Sequence, residues 1–537
     1  MARIGFMSRV TVMAVSAIIA YWFFQGAVER TIRVVDTGVI EEVLDHITEQ
    51  FVDSVDQSEL VNSAIEALVN GLDDPYTSFI DNRAWESFSL QAGAEADYGG
   101  VGLEILKRDS LVTVITSIPG GPALRSGIRP GDRILSIEGV SAKNWDSDQV
   151  ADGLRGREGT DVNLTIYRPG ADKLIPFRLT RSIIELRSVP FTKLLEGSVG
   201  YIPLQVFSET SGREVEEAVE SLRGQGMKSL IIDLRDNPGG LLAEGVAVTD
   251  LFLKDRLTIL ETKGRNSDIK ERIESITVES NADLPLVILV NGNSASSSEI
   301  VAGALQDHDR ALIIGSRTYG KGSVQTLYKL SGGDVLRLTT ARWYTPMGRS
   351  IHMDSEEKLE LISSESSKLS LNGRVVRMDD LNGRPLLKSV GGRKLYGGGG
   401  ITPDISVLQD TLSLSEEEAL HRIQLSGSFT AGLFNYAVRH VQENPAILSR
   451  LQLKNSELEL FYKDLLRDNE AMLERSDLEI ARRFIKYQLE REIALHAWGP
   501  EGAFEQTWPT DLQILRALEV LEQAQSPEKL LEAAIGL

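Results

Sequence analysis

A serine between an apolar strand and an apolar helix is the first candidate for chemistry. Leu286 to Val290 predicts a buried strand, Ile300 to Gln306 predicts a helix, and Ser296 lies in the serine-rich turn between them. A serine on such a turn projects its hydroxyl at the sheet edge, where a helix N-terminus favours developing negative charge. The spacing of Ser296 and Glu299 also fits a capping box, in which both side chains only satisfy backbone N–H groups. Spacing alone favours the capping box.

A serine hydroxyl needs a partner that accepts its proton. His308 follows the predicted helix and would face away from Ser296, so a histidine base is disfavoured. Lys321 lies between Gly320 and Gly322, whose small size lets the backbone approach an enclosed site. A lysine acts as a base at neutral pH only if burial lowers its pKa by about three units, about 4 kcal/mol, which desolvation can supply. The alternative is a solvated surface lysine, as most lysines are.

Two glycines follow a second apolar strand. Ser229 to Leu234 predicts this strand, and Arg235 begins a turn that ends in Gly239 and Gly240. Glycines in a tight turn expose backbone N–H groups, which can stabilise an oxyanion. An ordinary turn at the end of a strand would have the same residues.

Residues 98 to 183 change to a period of two, with short predicted strands separated by glycine and proline turns. The turn Tyr98–Gly102 before the strand Leu103–Lys107, and the block Pro130–Gly139, closely resemble a PDZ domain. Such a module binds a peptide as an added strand and holds its terminal carboxylate by backbone N–H groups. The alternative is that the glycines only form a hairpin turn.

The PDZ resemblance implies a set of peptide-binding residues. The carboxylate loop would be formed by Gly100, Val101, Gly102 and Leu103, and the side-chain pocket by Val150 and Leu154. Arg168, at the end of the predicted strand Val162–Tyr167, is a candidate reporter of peptide occupancy, with a surface arginine as the alternative.

Together the motifs resemble those of the C-terminal processing peptidases, also called tail-specific proteases, which are PDZ-containing serine–lysine enzymes. The resemblance covers roughly residues 39 to 405. Its motifs occur in the family's order: Leu234–Gly240, Asn293–Ile300, Ala302–Asp307, Tyr319–Gln325, and the closing segments Thr345–Ile351 and Gly398–Ile405.

The resemblance implies roles for individual residues. Ser296 would be the nucleophile, Lys321 the base, and Gln325 the residue that orients the lysine. The oxyanion hole would combine the N–H of Ser297 with that of a glycine, which is Gly239 or Gly240. The family commonly has alanine in place of Ser297, but only its backbone is needed for this role.

Composition excludes several function classes. The chain has 537 residues and a net charge of −21, and so acidic a body disfavours nucleic-acid binding. It has no cysteine, which excludes disulfides, thiolate metal sites and a cysteine nucleophile. Its six histidines show no metal-ligand spacing. No cofactor and no metal are therefore expected.

The N-terminus predicts export. Arg3 and Arg9 precede an uncharged run from Val10 to Val28, which is about the length of a membrane-spanning helix and contains an apolar stretch suited to a signal peptide. No good cleavage site follows, which favours an uncleaved anchor over a cleaved signal. Either interpretation predicts a protein on the periplasmic side of the inner membrane.

The predicted fold class is multidomain, α+β with α/β. The expected segments are a signal or membrane anchor (1–30), an N-terminal helical domain (36–95), a PDZ domain (97–183), a crotonase-like serine–lysine protease core (185–410, with an insertion at about 353–394) and an acidic helical C-terminal region (411–537). In the last segment, an apolar stripe predicts core packing: Leu478, Ala481, Ile485, Leu489 and Ile493.

The predicted function is a serine endopeptidase that recognises substrate C-termini through its PDZ domain. Expected partners are proteins or peptides with free C-termini and the membrane, with a homo-oligomer or an adaptor protein as further possibilities. The first alternative is a catalytically inactive PDZ adaptor that recruits protein partners. The second is a crotonase-like enzyme that binds acyl-CoA, which the PDZ insertion and the serine–lysine pair disfavour.

Overall fold

The structure, a computed structural model, describes residues 38–82, 85, 98–108, 111–118, 120–168, 173–184, 187–265, 269–277, 281–354, 367–373, 375–377, 383–444, 450–467, 473–524 and 526–535. The predicted anchor, residues 1–30, lies outside these ranges. Within them, no helix has both the length and the apolar character that a membrane span needs. The chain divides into two compact units, Met1–Asp74 and Pro75–Leu537.

The described part of the first unit consists of two helices, α1 (Gly38–Gln50) and α2 (Gln57–Asn70). Both helices lie in the segment that was predicted to form an N-terminal helical domain, 36–95. Asp56 caps α2 by accepting hydrogen bonds from the backbone of Ser58 and Glu59. Many of the apolar side chains of this unit are exposed, including Ile40 at 52% and Phe51 at 58%.

A small antiparallel sheet with two short helices follows in the second unit, where the PDZ resemblance was predicted. The order of its main strands is β3-β4-β5-β8-β9, so β3 lies at an edge, and β6 pairs with β5. The elements are β1 (Ser78–Ile80), which belongs to another sheet, and β2 (Tyr98–Gly99), β3 (Leu103–Arg108), β4 (Leu111–Ser117), α3 (Pro122–Arg125), β5 (Arg133–Ile137), β6 (Val140–Ser141), α4 (Ser147–Leu154), β7 (Gly156–Arg157), β8 (Asp161–Tyr167) and β9 (Ile175–Thr180).

A six-stranded sheet forms the centre of the second unit. Its order is β10-β11-β12-β15-β16-β23, and all neighbours are parallel except β10 and β11. The strands and the helices among them are β10 (Lys193–Leu195), β11 (Val199–Pro203), α5 (Ser211–Gly224), β12 (Ser229–Asp233), α6 (Leu242–Asp250), β15 (Leu286–Val290), α7 (Ser297–Asp307), β16 (Leu312–Gly315) and β23 (Ile405–Ser406).

A second, antiparallel sheet also belongs to this unit. The hairpin partners β17 and β18 form a sheet with β13, β14 and β1. The predicted insertion contains two hairpins among its described residues, β19–β20 and β21–β22. The elements are β13 (Thr258–Lys263), β14 (Ile269–Glu274), β17 (Ser323–Lys329), β18 (Val335–Tyr344), β19 (Ser367–Leu369), β20 (Val375–Arg377), β21 (Leu386–Lys388) and β22 (Lys394–Tyr396).

The C-terminal region is helical, as predicted. Its helices are α8 (Leu414–Leu425), α9 (Phe429–Glu443), α10 (Asn455–Arg467), α11 (Arg475–Ile480), α12 (Arg482–Thr507), α13 (Leu512–Gln523) and α14 (Pro527–Ile535). Non-helical dihedral angles at Gly499, followed by Pro500, interrupt α12. The predicted apolar stripe from Leu478 to Ile493 is confirmed as core, because all five of its residues are 0% exposed and join one cluster with residues of α8, α9 and α10.

The central sheet is buried on both faces, which explains why its strands β15 and β16 contain no polar side chain. Ile232 and Ile288 face a core shared with α5, α6 and α7. Ile231 and Leu289 face a separate core whose other side is formed by α13 and α14. The end of the helical region therefore completes the sheet and does not form a detached domain.

The packing of α13 leads to a prediction with a matched pair of leucines. Leu521 is 4% exposed and belongs to the core beneath the sheet, whereas Leu515 on the same helix is 40% exposed. Leu521→Ala should lower the free energy of unfolding by about 2–5 kcal/mol because it leaves a cavity. Leu515→Ala should change it by no more than about 0.5 kcal/mol. Urea denaturation of both variants measures this, and similar small effects would contradict the packing of α13 on the sheet.

Candidate active site

Ser296 lies at the carboxyl edge of the central sheet, between β15 and α7. Both elements were predicted, and the strand-to-helix turn is confirmed. The residue has φ 55° and ψ −114° immediately before the first helical residue. A positive φ is uncommon for a serine and is found most often where surrounding structure enforces it, as at active sites. The turn therefore holds Ser296 in a conformation that its own preferences disfavour.

The neighbouring serines have structural roles that distinguish them from Ser296. Ser294, Ser297 and Ser298 are each 0% exposed, whereas Ser296 is partly exposed. The three buried hydroxyls donate hydrogen bonds to carbonyl groups of the turn after β12: Ser294 to Leu234 at 2.7 Å, Ser297 to Gly240 at 3.3 Å and to Leu241 at 3.2 Å, and Ser298 to Asn237 at 3.0 Å. Of the four serines, Ser296 is thus the one accessible to a substrate.

The carboxylate of Glu299 connects the serine turn with the lysine loop. One of its oxygens, Oε2, accepts hydrogen bonds from the backbone N–H of Ser296 and from that of Lys321, each at 2.9 Å. The other, Oε1, accepts from the N–H of Gly320 at 2.7 Å and from the hydroxyl of Thr318 at 2.5 Å. The predicted contact between Glu299 and the N–H of Ser296 is confirmed, but it is only one of four. The backbones of Ser296 and Lys321 are therefore neighbours.

Burial is the main influence on the pKa of the Glu299 carboxylate. Glu299 is 0% exposed. Burial raises its pKa above the usual range, and the hydrogen bonds from Thr318, Lys321, Gly320 and Ser296 act in the opposite direction. Because both oxygens are fully used as acceptors, an amide or a shorter side chain cannot replace the carboxylate without leaving buried donors unsatisfied.

Lys321 lies in the loop before β17 and is partly exposed. The strand begins at Ser323, two residues later than the sequence indicated. The Nζ atom of Lys321 lies 5.0 Å from the centre of the Tyr76 ring, an arrangement that favours a charged ammonium. Gln325 lies on β17, and its Nε2 donates to Ser323 at 2.9 Å and to Thr339 at 3.3 Å. Its orienting role toward the lysine stays a prediction.

The two candidate glycines for the oxyanion hole, Gly239 and Gly240, differ in whether their backbone N–H groups already have an acceptor. Gly239 lies against Ser296, since a Cβ placed on it would approach the Cβ of Ser296 to 2.7 Å. However, its N–H donates to the side chain of Asn237 at 2.9 Å. Among the described residues, the N–H groups of Gly240 and Ser297 have no acceptor. Gly240 and Ser297 are therefore the donors available to an oxyanion, and Gly239 provides close approach of the backbone.

His308 was disfavoured as the base because it would face away from Ser296, and the structure places it far along the helix from that serine. His308 lies just after the last residue of α7, at the opposite end from Ser296, and its Nε2 is 2.7 Å from the carbonyl oxygen of Thr258. Within the described ranges, no group of three or more His, Asp or Glu side chains could hold a metal ion.

The predicted peptide groove lies along the edge strand β3. Val150 and Leu154 on α4 are 0% and 5% exposed and pack in the core of this small sheet together with Val101. The N–H of Gly100 donates to Ser182 at 2.9 Å, so this residue is not available to a ligand carboxylate here. Val101, Gly102 and Leu103 remain as the candidate carboxylate loop. At the far end of β3, the N–H of Lys107 donates to the hydroxyl of Ser147 on α4 at 2.9 Å.

Arg168 is not an unattached surface arginine. Its Nε lies 2.7 Å from one oxygen of Asp132, its Nη2 lies 2.8 Å from the other, and Nη2 also donates to the carbonyl of Gly127 at 2.9 Å. Asp132 is 0% exposed. A Cβ placed on the adjacent Gly131 would lie 2.7 Å from Val438 of α9. Arg168 thus fixes a turn that contacts the helical region.

The sequence marks Arg235 only as the first residue of the glycine turn. Its side chain is 10% exposed and forms ion pairs with Asp233 and Asp511. Burial opposes its charge, but Asp233 and Asp511 outweigh burial and raise its pKa above the usual range. Asp233 also accepts a hydrogen bond of 2.7 Å from the hydroxyl of the buried Tyr201. No local pattern indicates a contact with a residue 276 positions away.

Comparisons with known proteins identify the family of the chain. The family described as "Peptidase family S41" matches residues 198–356, which include Ser296 and Lys321. The family described as "PDZ domain" matches residues 113–168, and the one described as "Activating protease CtpB N-terminal domain" matches residues 27–84. The chain is 36% identical over 314 residues to the "Carboxy-terminal-processing protease" of Bartonella bacilliformis (strain ATCC 35685 / KC583 / Herrer 020/F12,63), covering 58% of this chain and 71% of that protein. The chain belongs to the C-terminal processing peptidases.

Other relatives are similar over comparable lengths. The "Probable CtpA-like serine protease" of Staphylococcus aureus (strain COL) is 33% identical over 346 residues, covering 64% of this chain and 68% of that protein. The solved structure titled "Photosystem II D1 C-terminal processing protease" is 32% identical, with a TM-score of 0.35, and covers 58% of this chain and 83% of its own. The predicted family and fold class, a PDZ domain with an S41 protease core and a helical C-terminal region, are confirmed, and the chain is a member of a family of serine peptidases.

The geometry around Glu299 leads to a second prediction. In Glu299→Gln, the amide nitrogen replaces one acceptor, so that two of the four donors face another donor. We expect the free energy of unfolding to fall by about 1–3 kcal/mol or more, because buried donors become unsatisfied. Cleavage of an unfolded protein should fall by about a hundredfold, because the serine turn and the lysine loop lose their shared contact.

Thermal unfolding and the initial rate of cleavage measure the two effects. Glu217→Gln is the matched control, because its side chain is 61% exposed on α5 and both quantities should stay at the wild-type values. A Glu299→Gln variant with wild-type stability and rate would show that the shared carboxylate is dispensable.

Proposed function

We propose that this chain is a serine endopeptidase in which Ser296 is the nucleophile and Lys321 the base, and that its PDZ domain presents the C-terminus of a protein substrate. The observation that carries the proposal is the pair of 2.9 Å hydrogen bonds from the backbones of Ser296 and Lys321 to a single oxygen of Glu299. A lysine side chain is long enough to bring its amine to a serine hydroxyl from a neighbouring backbone position. Membership of a serine peptidase family supports the same roles.

The proposed reaction is acyl transfer in two steps. The neutral amine of Lys321 accepts the proton of the Ser296 hydroxyl as its oxygen attacks the substrate carbonyl. The N–H groups of Ser297 and Gly240 stabilise the tetrahedral oxyanion, and the leaving amine takes a proton from the lysine. Water then attacks the acyl-enzyme, with the same lysine as base. Gln325, on the strand that follows the lysine loop, would orient the amine.

The Tyr76 ring opposes the first step in its present position. A cation above an aromatic ring is stabilised, so this contact favours the charged ammonium, which cannot accept a proton. The base must therefore lose this contact or be desolvated when substrate enters. A peptide that covers Lys321 would supply such desolvation and so lower the pKa of the amine.

Substrate recognition follows from the edge strand β3. We propose that a peptide C-terminus pairs with β3 and that backbone groups of Val101, Gly102 and Leu103 hold its carboxylate. The substrate class is accordingly proteins with free C-termini. Residues 1–30 would place the enzyme on the periplasmic side of the inner membrane, and the intact mass of protein purified from the membrane fraction distinguishes an uncleaved anchor from a cleaved signal.

The central test uses Ser296→Ala and Lys321→Ala. Each should lower cleavage of an unfolded protein with a free C-terminus by at least about a thousandfold, because nucleophile and base act as a unit. Binding of a C-terminal peptide should be retained, since the groove lies in the PDZ sheet. Lys329→Ala is the matched control, because Lys329 is an exposed residue on the strand that follows Lys321. Peptides that copurify with Ser296→Ala would reveal the preferred C-termini.

The same experiment separates the alternatives. Equal cleavage by the wild type and both variants would rule out the serine–lysine mechanism. Peptide binding without any cleavage by the wild type would favour an adaptor. Activity on acyl-CoA that persists in Lys321→Ala would favour a crotonase-like enzyme.

A further prediction concerns gating by the PDZ domain. Arg168→Ala leaves the buried carboxylate of Asp132 without its bidentate partner and loosens the turn that contacts Val438. We expect peptide-stimulated cleavage to fall several-fold, with a smaller change in basal cleavage. Arg178→Ala, which removes an ion pair with Asp161 from a 75% exposed side chain in the same sheet, is the control. If basal and stimulated cleavage are both unchanged in Arg168→Ala, the gating hypothesis fails.

A further inference from the structure

The C-terminal helical region contacts the glycine turn through the buried guanidinium of Arg235. The Nε atom of Arg235 donates to Asp233, the residue at the end of β12, at 2.9 Å. Its Nη1 atom donates to Asp511 at 2.7 Å and to Gln513 at 3.0 Å. The arginine thus joins the end of a central strand to the start of α13.

The two carboxylate oxygens of Asp511 accept hydrogen bonds from different groups. Oδ1 accepts hydrogen bonds from the N–H groups of Gln513 at 3.0 Å and Ile514 at 3.2 Å and so caps α13. Oδ2 accepts the bond from Arg235. A substitution can therefore remove the second contact and keep the first.

Gln513 is also fixed in position by burial and by a hydrogen bond. Its side chain is 1% exposed, and its Nε2 donates to the carbonyl of Val407 at 2.7 Å. Packing of α13 against the central sheet fixes both residues relative to the strand ends. The two acceptors are therefore presented to Arg235 by a rigid element.

The turn that starts at Arg235 leads directly to the candidate oxyanion donor. The N–H of Asp236 donates to the side chain of Asn291 at 3.0 Å, and the carbonyl of Asn237 accepts from the N–H of Ala295 at 3.0 Å. These contacts attach the turn to the serine segment on one side. On the other side, a cavity of about 680 Å³ is lined by Arg235, Asp236 and Asp511 among others.

We propose that Asp511 and Gln513 are positioning residues which, through Arg235, hold the turn that carries the Gly240 N–H in place for oxyanion binding. The C-terminal helical region is thereby required for the chemical step and not only for stability or partner choice. The inference rests on the proposed function, because it assigns these residues to the oxyanion hole of that reaction. Loss of one oxyanion donor lowers kcat by about 10²–10³-fold, and a displaced donor should cost part of that.

The test compares Asp511→Ser with Asp511→Ala. Serine is a good helix cap but is too short to reach Arg235, whereas alanine removes both contacts. We expect kcat to fall about tenfold in both variants, with KM for the protein substrate and peptide binding unchanged. Both variants should lower Tm, because the buried Arg235 loses an ion pair, and Asp511→Ala should lower it further, because the helix cap is lost as well. Glu519→Gln, on the exposed face of the same helix, should retain the wild-type kcat.

Two further measurements distinguish positioning from general destabilisation. Hydrogen–deuterium exchange of the backbone amides in residues 235–241 should be faster in Asp511→Ser than in the wild type, with β5 of the PDZ sheet unchanged. In an Arg235→Lys background, Asp511→Ser should lower kcat little further, because residues that act through one another are not additive.

A wild-type kcat in Asp511→Ser overturns the inference, as does a loss of kcat that is fully additive with Arg235→Lys. Failure of the proposed function is judged separately, from wild type against Ser296→Ala. The two failures are therefore distinguishable.

Discussion

The buried carboxylate of Glu299 accepts hydrogen bonds from two segments of the chain that are distant in sequence. One segment ends in Ser296 and the other in Lys321. A buried anion is costly unless donors surround it, and here the donors belong to the two loops that the proposed chemistry must align. The same hydrogen bonds therefore stabilise the buried carboxylate and align the two loops of the proposed catalytic site.

The serine-rich segment before α7 also attaches the turn that contains Ser296 to the glycine turn. The hydroxyls of Ser294, Ser297 and Ser298 donate to three different carbonyls of the turn between Leu234 and Leu241, so the serine turn and the glycine turn are joined at several points. The hydroxyl at Ser297 replaces the alanine that is common in the family. It contacts the carbonyl of Gly240, the glycine whose N–H is available to an oxyanion. Ser297, at which the sequence departs from the family, therefore adds a contact between the serine turn and the glycine turn.

Local signals predicted the elements but not the contacts between them. The strand Leu286–Val290 was predicted with its observed bounds, because parallel strands buried on both faces are continuously apolar. The choice of Ser296 among several serines rested on family resemblance, since exposure of a hydroxyl depends on how two turns pack. The same holds for the glycines: the sequence offered Gly239 and Gly240 equally, and a side-chain contact from Asn237 distinguishes them. The bridge from Arg235 to Asp511 spans 276 positions and has no local signature.

Helices α13 and α14 follow every strand of the central sheet in the chain, yet they cover one of its faces. During synthesis, that apolar face stays uncovered until residues near 530 have emerged, because domains fold as their segments become available. A nascent polypeptide would thus carry the residues for hydrolysis well before it could assemble them. Late closure of the sheet would delay completion of the proposed active site until α13 and α14 have left the ribosome.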